Sequence, residues 1–197
     1  MTQTLKQGDR GALVSLLQLG LTRAGQTPGA LDGIFGAQTA AAVRAFQAAN
    51  ALTPDGIAVF DSPVICEYLD SIGSAPKLFP PVGPARWKAL TQEALGDGIL
   101  DATQPRRREI ALPQDEGRQS YIALQQGKVT RALDELEKQA DALGDLTTIG
   151  EITIGCALGY LDFRYANEPW RPGHPKLSAW YDRVVKLPPL AETMPVG

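Results

Sequence analysis

Apolar positions in the first quarter of the chain repeat at helical spacing. Leu13, Val14, Leu17 and Leu21 follow a Gly8-Asp9-Arg10-Gly11 turn, and Gly25 suits the end of that helix. A Gly/Pro-rich link, Gln26 to Gly29, leads into Leu31-Asp32-Gly33-Ile34-Phe35-Gly36. A second helix is predicted from Ala37 to Asn50, with Val43 and Phe46 inward and Ala40 beside them. Asp55-Gly56-Ile57 closes this unit with a second Asp-Gly turn. Gly33 and Gly36 are expected at backbone angles that a β-carbon would resist, and Asp32 to bond its own turn.

The pattern then changes. Ile57-Ala58-Val59-Phe60 reads as a short strand without obvious partners. Ser62 suits an N-cap and Pro63 a first helical position, opening a helix to Ser71 that ends at Gly73. Val64, Ile65, Tyr68 and Leu69 mark its apolar face, and periodicity puts Cys66 and Tyr68 in the core. Four prolines between Ala75 and Pro84 forbid a helix and mark a linker.

Beyond the linker the pattern is helical. One helix is expected from Arg86 to Thr103, and a long or broken one from Arg118 to Leu143. Val129, Leu133, Leu136, Ala140 and Leu143 form one buried stripe, with Asp134 and Lys138 as an i,i+4 pair on the wet face. Thr148-Ile149-Gly150-Glu151 is a capping box. The helix it opens, Ile149 to Phe163, is apolar nearly all round and should be central. His174-Pro175 starts a last helix, which Leu187-Pro188-Pro189 stops.

Composition narrows the functional classes. The 197 residues carry a formal net charge of −3, which gives no footprint for nucleic acid or an anionic membrane. Arg106-Arg107-Arg108 is followed by Glu109 and reads as a solvated run. Cys66 and Cys156 read as buried, reduced thiols, with neither a metal-ligand set nor an activating partner nearby. The first residues lack an apolar leader, and no apolar stretch is long enough to span a bilayer, so a cytoplasmic location is expected.

Two families are resembled. Gly8 to Gly11, Val14, Leu17-Gln18, Asp32 to Gly36, Thr39, Ala42-Val43 and Phe46-Gln47 are similar to the peptidoglycan-binding repeat, a compact three-helix bundle. Glycan recognition there would use a shallow groove near the second helix, where Gln38, Arg44 and Gln47 are the candidates by position.

From about residue 56 onward the chain resembles a glutathione transferase. The resemblance rests on Phe60-Asp61-Ser62, Val64 to Leu69, Leu78-Phe79-Pro80, Leu146 to Glu151, Gly155 to Arg164, His174-Pro175 and Trp180-Tyr181. The implied fold class is mainly α: a bundle over residues 1–57, a remnant strand and helix of a thioredoxin-like domain over 58–74, a linker over 75–84, and a transferase helical domain over 85–197. At most a vestige of the thioredoxin-like sheet is expected.

By resemblance, Asp61 and Ser62 hold the γ-glutamyl end of glutathione, the implied co-substrate. A helix N-terminus suits its carboxylate and Asp61 its ammonium, although Ser62 would serve equally as a plain cap. Trp87, Leu90, Leu95, Tyr160 and Arg164 are the candidates for an apolar second-substrate pocket. The family's opening strands, first helix and thiol-activating Ser, Cys or Tyr have no counterpart, so weak or absent conjugation is expected. The alternative is a non-enzymatic ligand- or cell-wall-binding protein that uses the N-terminal bundle.

Overall fold

The computed structural model describes residues 4–50, 52–56, 58–59, 61–72 and 74–194. Ile57, Phe60 and Gly73 lie outside the described residues, as does the side chain of Leu13. The chain divides into two compact units, Met1–Ile72 and Gly73–Gly197.

In the first unit, strand β1 (Thr4–Leu5) precedes helices α1 (Ala12–Arg23) and α2 (Ala37–Ala49), then strand β2 (Ala58–Val59) and helix α3 (Ser62–Ile72). Val14, Leu21, Phe35, Ala40 and Val43 are buried together with Leu5. Helix α1 ends in a Schellman turn: Gly25 sits at φ 77°, its N–H donates to Thr22, and the Gln26 N–H donates to Leu21. The short strand after residue 57 does have a partner. β1 and β2 pair antiparallel, with Thr4 opposite Val59 and Leu5 opposite Ala58. That pairing ties the strand before α3 to the start of the bundle.

The turn between α1 and α2 is organised by Gln18, a buried side chain. Its Nε2 donates to Asp32 Oδ1, the Ile34 carbonyl and Thr39 Oγ1, each at 3.1 Å, and its Oε1 accepts from Gly33 N at 3.0 Å. Asp32 bonds its own turn as expected, accepting from Ile34 N at 2.9 Å. That amide, followed by the Gln18 amide, holds the Asp32 carboxyl below the usual carboxylate range. Gly33 needs to be glycine: φ is 70°, and a β-carbon would lie 2.8 Å from Ser15 Oγ. Gly36 does not, contrary to expectation, because φ is −84° and the space beside it is open.

Helix α3 departs from its periodicity. It contains no buried residue, and Ile65, Leu69 and Ile72 are 39%, 49% and 50% exposed. Cys66 and Tyr68 are half-buried, not core. Its apolar face, with Tyr68, instead borders a cavity of about 680 Å³ shared with Leu17, Leu21, Val43 and Phe46.

The second unit contains α4 (Pro84–Ile110), α5 (Glu116–Gln139), α6 (Ile149–Arg164), α7 (Pro175–Val184) and the single turn α8 (Pro188–Ala191), with 3₁₀ turns at Ala140–Ala142 and Arg171–Gly173. Gly83 at φ 80° precedes Pro84, which occupies the first turn of α4. α4 outlasts the predicted helix by seven residues, passing through Pro105 and all three arginines. Arg106 is buried rather than solvated.

The five-residue stripe of α5 and the following turn is buried as predicted. Asp134 does not pair with Lys138. It accepts from His174 Nε2 at 3.1 Å, and Lys138 reaches Glu135 at 3.2 Å. The central helix α6 packs closely on α4 and buries Ile154, Ala157, Leu158 and Leu161. Cys156, on the same helix, is exposed and not the buried thiol expected.

The capping box is fully formed. Thr148 Oγ1 accepts from Glu151 N at 3.4 Å, and the Glu151 carboxylate accepts from Gly144 N and Thr147 N at 2.8 Å and Thr148 N at 3.3 Å. The Ile149 N–H, a donor with no partner inside the helix, reaches the Leu78 carbonyl at 3.0 Å.

Against α6, Tyr181 is almost completely buried. Burial, with the Asp162 carboxylate second, pushes its phenol from the ordinary 10 up to about 12. The neutral phenol is therefore the folded form. Its contribution is complete below pH 10 and is lost as pH rises toward about 12, for a total of about 3 kcal/mol. Unfolding midpoints across that window should fall for the native chain more than for Tyr181→Phe. Parallel curves would contradict this account of Tyr181.

Candidate functional site

Asp61 and Ser62 stand where β2 turns into α3. The Asp61 carbonyl accepts from Ile65 N at 3.0 Å, the first bond of the helix, so Asp61 is the N-cap and Ser62 the first helical residue. This shifts the cap by one residue from the Ser62 expected. Asp61 Oδ1 also accepts from Ser62 N at 2.8 Å. Pro63 has no N–H to offer, so the first two helical positions present no free backbone donor.

Asp61 takes a φ of 76°, in the left-handed region. A residue with a β-carbon gives up about 1–2 kcal/mol there, although aspartate is among the more tolerant. Both side chains are exposed, and among the described residues the Ser62 hydroxyl makes no hydrogen bond. A carboxylate and a hydroxyl thus face outward together at the positive end of a helix dipole.

The residues on α3 that could act on a thiol are placed elsewhere. Cys66 lies four residues and Tyr68 six residues into the helix from Ser62, about 6 and 9 Å along its axis. Tyr68 lines the apolar cavity between α3 and the α1–α2 pair.

The bundle candidates have separate situations. Gln38 is exposed and lies over Gly29, and Arg44 is exposed and lies over Gly56. Gln47 is buried; its Nε2 donates to Asp55 Oδ1 at 2.8 Å and its Oε1 accepts from Gly56 N at 3.0 Å. Both ends of that amide are spent clamping the Asp55-Gly56 turn, so Gln47 is a structural residue and not an outward-facing glycan contact. Sequence reasoning assigned no role to Gln18, which does the same work at the other turn; the signal was a long polar residue at an inward-facing helical position.

The apolar-pocket candidates are not brought together. Trp87 is 66% exposed, Leu90 is half-buried, and Leu95 packs on the helical core. Tyr160 borders a groove of about 380 Å³ with Gln104, Arg107, Arg108 and Ala111, and with none of the other four. Arg164 stacks on Phe163 with its guanidinium carbon 3.9 Å from the ring centre. The groove is basic rather than apolar. Among the described residues there is no group of three or more His, Cys, Asp or Glu side chains that could hold a metal ion. No helix among them is long and apolar enough to cross a membrane.

A helical unit built on one capped, buried central helix is the architecture of a glutathione-transferase type of protein. Comparison with known proteins agrees. The family model for the glutathione S-transferase C-terminal domain matches residues 107–183, and a peptidoglycan-binding-like domain model matches residues 10–58. An uncharacterized GST-like protein, YibF of Escherichia coli (strain K12), is 33% identical over 149 residues, covering 73% of each chain. Among solved structures, a glutathione transferase family member from Pseudomonas fluorescens Pf-5 with bound S-(propanoic acid)-glutathione is 40% identical over 72% of each chain, with a TM-score of 0.66. A glutathione S-transferase from Methylobacillus flagellatus KT with glutathione bound is 33% identical over 73% of each chain, with a TM-score of 0.65. The chain belongs to the glutathione transferase family, with a peptidoglycan-binding-like bundle at its N-terminal end.

Proposed function

We propose that this protein binds glutathione or a glutathione-like peptide through Asp61 and Ser62 and does not activate its thiol. The observation that carries the reading is the strained, exposed Asp61 at the N-cap of α3, with the Ser62 hydroxyl beside it. The carboxylate of Asp61 suits the γ-glutamyl ammonium, and the outward-facing Ser62 hydroxyl, at the positive end of the α3 dipole, suits the carboxylate. The glutathione-bound structures of the two relatives support the same ligand class. The expectation of weak or absent conjugation rests on the chemistry. The thiolate is the nucleophile, and among the described residues of α3 the thiol and phenol side chains, Cys66 and Tyr68, lie about 6 and 9 Å along the axis from Ser62.

In this reading the bundle serves as a structural neighbour for the retained strand, which the pairing of β1 with β2 supports. Isothermal titration with glutathione tests the site. Saturable binding is expected in the native chain, with affinity reduced about tenfold or more in Asp61→Ala and Ser62→Ala. Equal heats in all three proteins would remove the corner from the account.

A second reading, favoured by the family match at residues 10–58, is that the bundle holds peptidoglycan through the exposed Gln38 and Arg44. Co-sedimentation with purified sacculi would support it, and loss of the protein to the supernatant would sink it.

A further inference from the structure

The second unit carries a cavity that neither the glutathione corner nor the basic groove uses. It holds about 210 Å³ and lies among α4, α5, the end of α6 and the segment 168–174. Val129, Leu133, Leu161 and Trp170 form apolar walls, and Arg106 and Gln126 bring polar groups to it.

Arg106 is 6% exposed. One end of its guanidinium is accounted for, since Nη2 meets Glu168 Oε2 at 2.6 Å, and its flat face lies 4.9 Å from the centre of the Tyr165 ring. The Nε–H is buried and has no acceptor among the described residues. Buried guanidinium donors are normally paired, because leaving one unmatched forfeits its hydration without return.

The other polar groups around the cavity do not supply the acceptor. The Thr103 hydroxyl is turned onto Ile99 and Leu100 carbonyls, and Tyr165 Oη donates to the Thr103 carbonyl at 2.7 Å. The Gln126 carboxamide makes no hydrogen bond among the described residues. Two polar groups of the lining residues are therefore without a partner among the described residues, the buried Arg106 Nε and the Gln126 carboxamide, beside apolar walls.

We propose that this cavity is a binding site for a small neutral carbonyl compound, an amide or ketone with an aromatic or aliphatic body. Its oxygen accepts from Arg106 Nε, and its body packs on Val129, Leu133, Leu161 and Trp170. The charge balance selects a neutral ligand. Glu168 already compensates the guanidinium at 2.6 Å, so a carboxylate would set a second negative charge against one cation. Size selects a fragment, since the volume lies below the usual range for drug-sized ligands, about 300–1,000 Å³.

The test uses the full chain with N-methylbenzamide as probe and benzoate as its charged counterpart, read by amide chemical shifts and by tryptophan fluorescence, to which Trp170 in the cavity wall contributes. Saturable shifts are expected at residues 126–133 and 168–174, with affinity for the amide about tenfold above that for benzoate. Arg106→Lys keeps a cation for Glu168 but removes the Nε donor, and should weaken the amide about tenfold. If that variant fails to fold, Gln126→Leu, at a half-buried position, should weaken it severalfold. No saturable shift at millimolar amide, equal affinity in a folded Arg106→Lys, unchanged affinity in Gln126→Leu, or tighter binding of benzoate would overturn the proposal.

Discussion

Replacing Glu151 by alanine is expected to destabilise the helical unit by about 3 kcal/mol, enough to abolish much of a typical domain's margin. The carboxylate is buried and gathers the Gly144, Thr147 and Thr148 N–H groups, with the Thr147 hydroxyl at 3.2 Å. Without it three backbone donors lose their acceptor at once, and their partial access to water limits the loss. The turn they hold is itself strained, because Leu146 takes a φ of 61° while its side chain is buried in the core. Glu151→Gln keeps one acceptor oxygen but turns an NH₂ toward donors, so it should recover only part of the loss. All three tryptophans, Trp87, Trp170 and Trp180, lie in this unit, so denaturant unfolding followed by their fluorescence reports on it alone. A midpoint unchanged in Glu151→Ala would show that the carboxylate is not the hub described.

Gly150→Ala carries the second large effect. A β-carbon at Gly150 would lie 2.5 Å from the Ala89 carbonyl oxygen and 2.6 Å from Gln92 Cβ. Both obstacles belong to the facing helix α4, and a helix backbone cannot step aside like the tip of a flexible side chain. The same contact recurs further along, where a β-carbon at Gly96 would lie 2.9 Å from backbone atoms of Thr153. The two glycines let α4 and α6 approach closely. Overpacking at Gly150 should cost about 3 kcal/mol despite alanine's better helix propensity. Gly98→Ala is the control: the site is exposed, nothing lies within 4 Å, and a gain of about 0.5–1 kcal/mol is expected. If both variants were stabilised alike, the close crossing would be refuted.

Much of the helical unit was legible in the sequence because its signals are local. A threonine three residues before a glutamate at the head of an apolar run is a local cap signature, and the α5 stripe repeats at three and four until it ends. The errors lie where periodicity was asked to report environment. The apolar side of α3 repeats correctly, yet a pattern states which residues share a face and not what covers it; here Ile65 and Leu69 border a cavity.

Arg106 was missed for a related reason. Stopping the helix before Pro105 hid the stripe of Gln92, Gly96, Ile99, Thr103 and Arg106, whose steps of four and three put the arginine on the buried face. Asp134 pairs across the fold with a residue forty positions away, beyond the reach of any local rule.

The candidate site was readable in its residues but not in its geometry. Asp61-Ser62 before an apolar helix marked the place. The left-handed backbone at Asp61, and its taking of the cap from Ser62, came only with the structure. The five residues assigned to an apolar pocket shared chemistry, but nothing in their spacing required a common cavity, and they are dispersed over separate surroundings.

The central claim is that the chain holds glutathione without activating its sulfur. The measurement that tests it most directly is a glutathione titration at neutral pH, followed at once by heat and by thiolate absorbance in the ultraviolet. Saturable heat with no thiolate band is the result the account predicts. A thiolate band growing with saturation would show an activated thiol and an active transferase site, and no heat at millimolar glutathione would show that the Asp61-Ser62 corner binds nothing of this class.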